Sequence, residues 1–162
     1  MLKQLSAQIV LLLLLVTAAL SAELSGRVLW IYDGDTLKVE NVGKVRLIGI
    51  DTPETKASSR DRFYTKNFAI DAKRLRKISK QAKYYNINHL KNQRVRLELD
   101  HTHRDKYDRL LAYVYLPDGR MLNRVLLEKG LATVFRRYSF LYKKDFLKVE
   151  ENARENRLGL WE

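Results

Sequence analysis

Tyr32-Asp33-Gly34-Asp35-Thr36-Leu37-Lys38, followed by Arg46-Leu47-Ile48-Gly49-Ile50-Asp51-Thr52-Pro53-Glu54, is the stretch on which the reading of this chain turns. Leu24 to Tyr32 and Leu37 to Val39 read as strands, joined by Asp33-Gly34-Asp35. Val45 to Ile50 reads as a third strand after the turn Asn41-Val42-Gly43-Lys44. Thr52-Pro53 ends it, because proline lacks a donor and restricts the residue before it. Aspartate and glycine are routine at strand connections, so the turns alone do not imply a site.

Working outward, Arg94-Val95-Arg96-Leu97-Glu98-Leu99 alternates as a half-buried fourth strand. Leu110 to Leu116 is a fifth, closed by Pro117-Asp118-Gly119. Lys80 to Lys91 is expected to form an amphipathic helix, with Ala82, Tyr85 and His89 or Leu90 at helical spacing. Asn123 is placed to cap a short helix from Arg124 to Lys129, which Gly130 terminates, and a last helix spans Lys143 to Asn156. Between these elements, residues 55–80 are polar and basic and are expected to form a long insertion loop, with a helical turn around Ala69 to Ile78. The pattern predicts an α+β, mainly β chain: a five-stranded OB-fold-like Greek-key barrel with about three packed helices.

The ends and the charge narrow the class. Lys3, the apolar run Ile9 to Leu20 and the small residues Ala18-Ala19-Leu20-Ser21-Ala22 follow the three-part pattern of a signal peptide over residues 1–22. The domain then occupies residues 23–162, in a secreted or periplasmic protein. An uncleaved anchor is the alternative reading of the same run, which is short for a membrane span. No cysteine is present, so disulfides, thiolate catalysis and Cys-ligated metals are excluded. Net charge is +12, and residues 55–80 carry Lys56, Arg60, Arg62, Lys66, Lys73, Arg74, Arg76, Lys77 and Lys80 against Asp61 and Asp71. A field so concentrated attracts polyanions. A solvated basic loop or an affinity for anionic lipid would look the same by charge alone.

Cutting a phosphodiester needs an attacking water, a held phosphate and stabilisation of charge on its oxygens. Asp35 and Asp51 supply hard oxygen ligands for a divalent ion if their strands are neighbours, and the Thr52 carbonyl is a third oxygen. Glu54, beyond a rigid proline, is the candidate to orient or deprotonate water. Arg46, expected at the far end of the third strand from Asp51, and Arg109, just before the fifth, present planar forks suited to phosphoryl oxygens. Taken singly, each is a turn residue, a solvated acid or a surface cation; their order and spacing point to one site. His101 and His103 flank Thr102 without a carboxylate motif and read as a solvated turn. Tyr84 and Tyr85, with Lys80 and Lys83, would suit stacking on a single strand or simple helix packing.

The blocks Asp33-Gly34-Asp35-Thr36, Arg46 through Asp51-Thr52-Pro53-Glu54, and Asp105-Lys106-Tyr107-Asp108-Arg109 with Leu111-Ala112-Tyr113 strongly resemble the staphylococcal nuclease (thermonuclease) family, over roughly Ser25 to Trp161. The resemblance implies a Ca2+-dependent nuclease acting on DNA and RNA, cleaving the 5′ P–O bond to leave 3′-phosphate ends. It implies that Asp35, Asp51 and the Thr52 carbonyl bind calcium, that Glu54 is the general base, and that Arg46 and Arg109 stabilise the transition state. Lys106 and Tyr107 would hold the substrate phosphate, and Tyr138 would be available to the substrate base. A monomer without stable membrane association after leader cleavage is expected. The chain departs from the family where Asp108 replaces a usual glycine, where Arg136 stands in place of a frequent aromatic, and in the longer basic segment. The rival readings are a non-catalytic nucleic-acid-binding module and a membrane-surface protein held by its leader and basic loop.

Overall fold

The computed structural model describes residues 24–162, so the expected leader lies outside the described residues. Strand β1 (Ser25–Ile31) runs into β2 (Thr36–Val39) and β3 (Gly43–Leu47), and β4 (Ile50–Asp51) follows after a turn. Helices α1 (Asp61–Phe68) and α2 (Ala72–Leu90) precede β5 (Arg94–Arg104) and β6 (Leu110–Tyr115). Helix α3 (Leu122–Glu128), strand β7 (Thr133–Val134), helix α4 (Lys143–Glu155) and a 3-10 turn (Gly159–Trp161) complete the chain.

The five longer strands close into a barrel in the order β1-β2-β3-β6-β5. Closure joins β5 back to β1 through Gly26↔Val95, while β3 and β6 run parallel through Arg46↔Leu111. This is the expected OB-type barrel. Alternation builds its interior: Val28, Leu37, Val39, Val45, Leu47, Val95, Leu97, Ala112 and Val114 are all buried. Each fully buried aliphatic side chain of this size contributes roughly 1.5–3 kcal/mol of transfer free energy.

Three expectations need correction. Residues 55–80 are not a long loop: α1 and the first half of α2 occupy most of them. Asp71 caps α2 by accepting from the Arg74 N–H at 2.8 Å, and Leu75, Ile78, Ala82 and Leu90 form its buried stripe. Among the described residues four α-helices accompany the barrel, in keeping with the about three expected. Asn123 does not cap α3; it lies inside the helix, fully buried. Its amide accepts from the Val114 N–H at 3.0 Å and donates to the Ile48 carbonyl at 2.9 Å, tying the β3 exit to β6. The third strand does not run on to Ile50: the chain turns at Ile48-Gly49, and Ile50–Asp51 pairs with Thr133–Val134 instead. Gly49 has φ +80°, and a Cβ there would meet the Phe140 ring at 2.6 Å, so both the turn and the packing require glycine.

Candidate active site

The β1–β2 connection is pinned from within. The Asp35 N–H donates to the Asp33 carboxylate at 3.0 Å, and the Gly34 carbonyl accepts from Asn86 of α2 at 2.8 Å. A Cβ on Gly34 would lie 2.8 Å from both Ala82 and Thr52, so only glycine lets α2 and the segment after β4 approach this loop. The result is a buried Asp35 aimed at Thr52, whose N–H and hydroxyl both donate to one Asp35 oxygen at 2.8 Å. Thr36 donates to the other at 3.2 Å.

The turn at Gly49 folds the chain back, so Asp51 returns to Arg46 instead of lying at the far end of a strand from it. The Arg46 guanidinium reaches both carboxylates: it pairs with Asp35, and its second nitrogen donates to Asp51 at 3.1 Å. Asp51 is further held by Arg60, at the start of α1, and by the buried Tyr64 hydroxyl at 2.9 Å. Tyr64 and Thr133 both donate to the Asp51 carbonyl, at 3.2 and 3.4 Å. Arg60 and Tyr64 stand one helical turn apart, so α1 delivers both to one carboxylate. Neither was singled out in the sequence, where Arg60 is one cation of nine in a basic run. The four-residue spacing was the available signal.

Electrostatics follow from this crowding. Burial and the neighbouring Asp35 push Asp33 up to about 6. Glu54 is exposed at the rim, and partial burial together with the charges of Asp35 and Asp51 raises it above the usual carboxylate range. Burial opposes the charged form of Arg46, yet Asp35, Asp51 and Asp33 outweigh that and keep it protonated. Burial and Asp51 likewise hold the Tyr64 phenol protonated.

Arg109 joins from the β5–β6 loop. Its side chain binds Asp105 at 2.7 and 2.8 Å and donates to the Thr36 hydroxyl at 3.4 Å, so Thr36 links it to Asp35. The parallel β3–β6 register places Arg109 two residues before the partner of Arg46. Asp108 has φ +60°, the left-handed backbone that the family's glycine would favour, and the loop keeps its turn. Lys106 and Tyr107 are exposed on that loop, with the Tyr107 ring 5.5 Å from the Arg109 guanidinium carbon. Tyr138 is exposed, against Phe135, which in turn faces Arg60. Arg136 turns away and pairs with the buried Glu150. His101 and His103 are exposed and stand apart.

Arg46, Asp35, Asp51 and Thr52 are thus in direct contact, Arg109 is one hydroxyl away, and Glu54 shares their field. Among the described residues no group of three or more acidic or histidine side chains stands ready as a metal cage. The donor chemistry nevertheless fits a hard cation: two buried carboxylates, with Asp33 and Glu54 beside them raised first by burial and then by the negative charge of the cluster. Arg46 takes one oxygen of Asp35 and one of Asp51, and Arg60 takes the other oxygen of Asp51. Cation entry therefore competes with arginine.

An OB-type barrel carrying carboxylates, a water-facing glutamate and two arginines on one edge has the parts of a phosphodiester-cleaving hydrolase. A family model described as staphylococcal nuclease homologue matches residues 44–162. The chain is 33% identical over 139 residues to a thermonuclease of Staphylococcus hyicus, covering 83% of this chain and 74% of that one. It is 39% identical over 147 residues to an uncharacterized protein of Methanocaldococcus jannaschii, covering 84% and 70%. It is 38% identical over 136 residues to a prophage-derived endonuclease of Bacillus subtilis, covering 80% of this chain and 41% of that one. The protein belongs to the staphylococcal nuclease family, and family and site together support a nuclease function.

Proposed function

We propose that this protein is a secreted or periplasmic, calcium-dependent nuclease that hydrolyses DNA and RNA to 3′-phosphate ends. The observation that carries the reading is the convergence of Asp35 and Asp51 on Arg46, with Arg109 linked through Thr36 and Glu54 at the open rim.

Asp35, Asp51 and the Thr52 carbonyl would hold calcium, which when bound supplies a positive charge for a phosphate oxygen. The residues of the chain do the rest. Glu54 accepts a proton from water as the water oxygen bonds to phosphorus, and its raised proton affinity suits that task. Arg46 exchanges carboxylate partners for phosphate oxygens, and Arg109, oriented by Asp105, stabilises the others. The bond from phosphorus to the 5′ oxygen breaks, and that oxygen takes a proton from solvent. Lys106, Tyr107 and Tyr138, all exposed, contact the substrate.

The test is degradation of single-stranded DNA and RNA by the purified protein in calcium and in chelator, beside Glu54→Gln. Calcium-dependent cleavage that falls by about 10²–10³ in the variant supports the reading, by analogy with loss of one charge-stabilising group. Tight nucleic-acid binding without cleavage in any metal overturns it in favour of a binding module.

A further inference from the structure

Strand β1 carries an irregularity whose product is an exposed tryptophan. Val28 pairs with Val39, but Trp30 pairs with Lys38, so Leu29 is an extra residue in the ladder. Bulges of this kind re-aim side chains. Here Val28 and Ile31 still point into the core, while Trp30 is left 54% exposed. A large aromatic held outward by a backbone irregularity has no role in packing the barrel.

Its neighbours are cations. Lys38 stands opposite Trp30 on β2 and opposite Lys44 on β3, which makes a row of Trp30, Lys38 and Lys44 across three strands. Both lysines are exposed, and the Lys44 ammonium lies 4.9 Å from the Tyr32 ring. Lys83 of α2 reaches the same place, donating to the Tyr32 carbonyl at 3.0 Å. The next pair along the same outer face of β2 and β3 is Thr36 and Arg46, which belongs to the active site. Two strand residues advance about 7 Å, close to one nucleotide step of an extended strand. The row is therefore the site's continuation on the same face of the sheet.

We propose that a single nucleic-acid strand leaves the active site across the outer face of β1, β2 and β3, stacking a base on Trp30 and setting phosphates on Lys38 and Lys44. The inference rests on the reading that this chain acts on nucleic acid, and deepens it by naming an extended subsite. Aromatic platforms beside cations bind single strands without sequence preference, because every base has a stacking face. A duplex would not offer its bases to Trp30.

The experiment uses the full chain in chelator, so that binding is read without turnover. Labelled thymidine dinucleotide and octanucleotide are titrated against wild type, Trp30→Ala, Trp30→Phe and Lys38→Ala/Lys44→Ala, and anisotropy is followed across salt concentrations. The octanucleotide should bind Trp30→Ala about tenfold more weakly, Trp30→Phe should retain most of the affinity, and the dinucleotide should not distinguish them. The lysine pair should reduce the salt slope by about 1.4, at about 0.7 per phosphate on a single strand. Quenching of tryptophan emission by the octanucleotide should vanish in Trp30→Phe, since Trp161, the second tryptophan, packs on Phe68 and Arg154 instead.

Octanucleotide affinity unchanged by the Trp30 and lysine variants overturns the proposal. So does a Trp30 emission shift with anionic vesicles but none with oligonucleotide, which assigns the patch to lipid. Concentration-dependent dimerisation lost in Trp30→Ala, with oligonucleotide binding intact, assigns it to a second copy. If the variants behave as expected but calcium supports no cleavage, the subsite stands and the hydrolase reading fails.

Discussion

Asp105 is a loop residue whose two carboxylate oxygens do different work. One accepts from the Tyr107 and Arg109 N–H groups at 2.9 and 3.0 Å and shapes the turn; the other holds the Arg109 side chain. Asp105→Asn preserves the turn acceptor and weakens the grip on the guanidinium. It should lower kcat by about tenfold to a hundredfold with little change in KM, the pattern of a misplaced group and not of lost binding. Steady-state kinetics on a short substrate check it. Asp108, directly after Tyr107 and exposed at φ +60°, tests the backbone, since its only side-chain partner among the described residues is a solvent-exposed Arg104 at 3.3 Å. Asp108→Gly should raise stability by up to about 1 kcal/mol in chemical denaturation, because glycine adopts this conformation without a Cβ penalty. Asp108 was legible in the sequence, since its departure from a glycine pattern marks the conformation. Arg60 was not: only its four-residue spacing from Tyr64 separates it from eight other cations, and that spacing gains meaning once α1 is in place.

At the scale of elements, α1 is the part that sequence patterning missed and the site depends on. It is only eight residues long and only Tyr64 is fully buried, with Phe63 and Phe68 half-buried beside it, so its apolar side is a short aromatic cluster among charges and not a long stripe. Tyr64→Phe removes a hydrogen bond from a buried carboxylate while keeping the ring, and should cost about 1–3 kcal/mol in denaturant titrations. Arg60→Ala does something different. Its side chain is 40% exposed, so its ion pair with Asp51 contributes at most about 1 kcal/mol. Removing it should strengthen calcium binding by up to about fivefold in calorimetry, because a competitor for the Asp51 oxygen is gone. The strands were easier to read than α1, because alternation in β2, β3 and the first half of β5 reports a single buried face, while β6 reads as a continuous apolar run. The two-residue strands β4 and β7 are too short to alternate, and only tertiary pairing defines them.

Across the whole molecule, β5 and β6 are tied to the segment before α4 by Asp100. Its carboxylate accepts from the Tyr113 hydroxyl at 2.6 Å, the Leu141 N–H at 2.7 Å and the His101 N–H at 2.6 Å. Burial pushes this carboxyl up, but the three donors outweigh it and hold it below the ordinary value. A depressed folded value means the stabilisation is present above the unfolded value of about 4 and is lost as pH falls toward the lower, folded one. Asp100→Asn should therefore flatten the acid limb of the stability profile below about pH 4, measured by denaturation across that range. Barrel topology was legible from strand number and order. The coupling of its far side to residue 141 was not, because no periodicity announces a bond across 41 residues.

The Asp35–Arg46–Asp51 cluster has a genetic corollary. The bonds within it clamp β2, β3, β4 and α1 together, and stripping one partner leaves another buried charge without its counter-ion. A deep mutational screen for inactive clones should then return two populations. Lesions at Glu54 or Arg109 should leave cells full of protein that does nothing. Those at Arg46, Asp51 or Tyr64 should deplete the protein itself, because destabilised chains are cleared before their chemistry is ever tried.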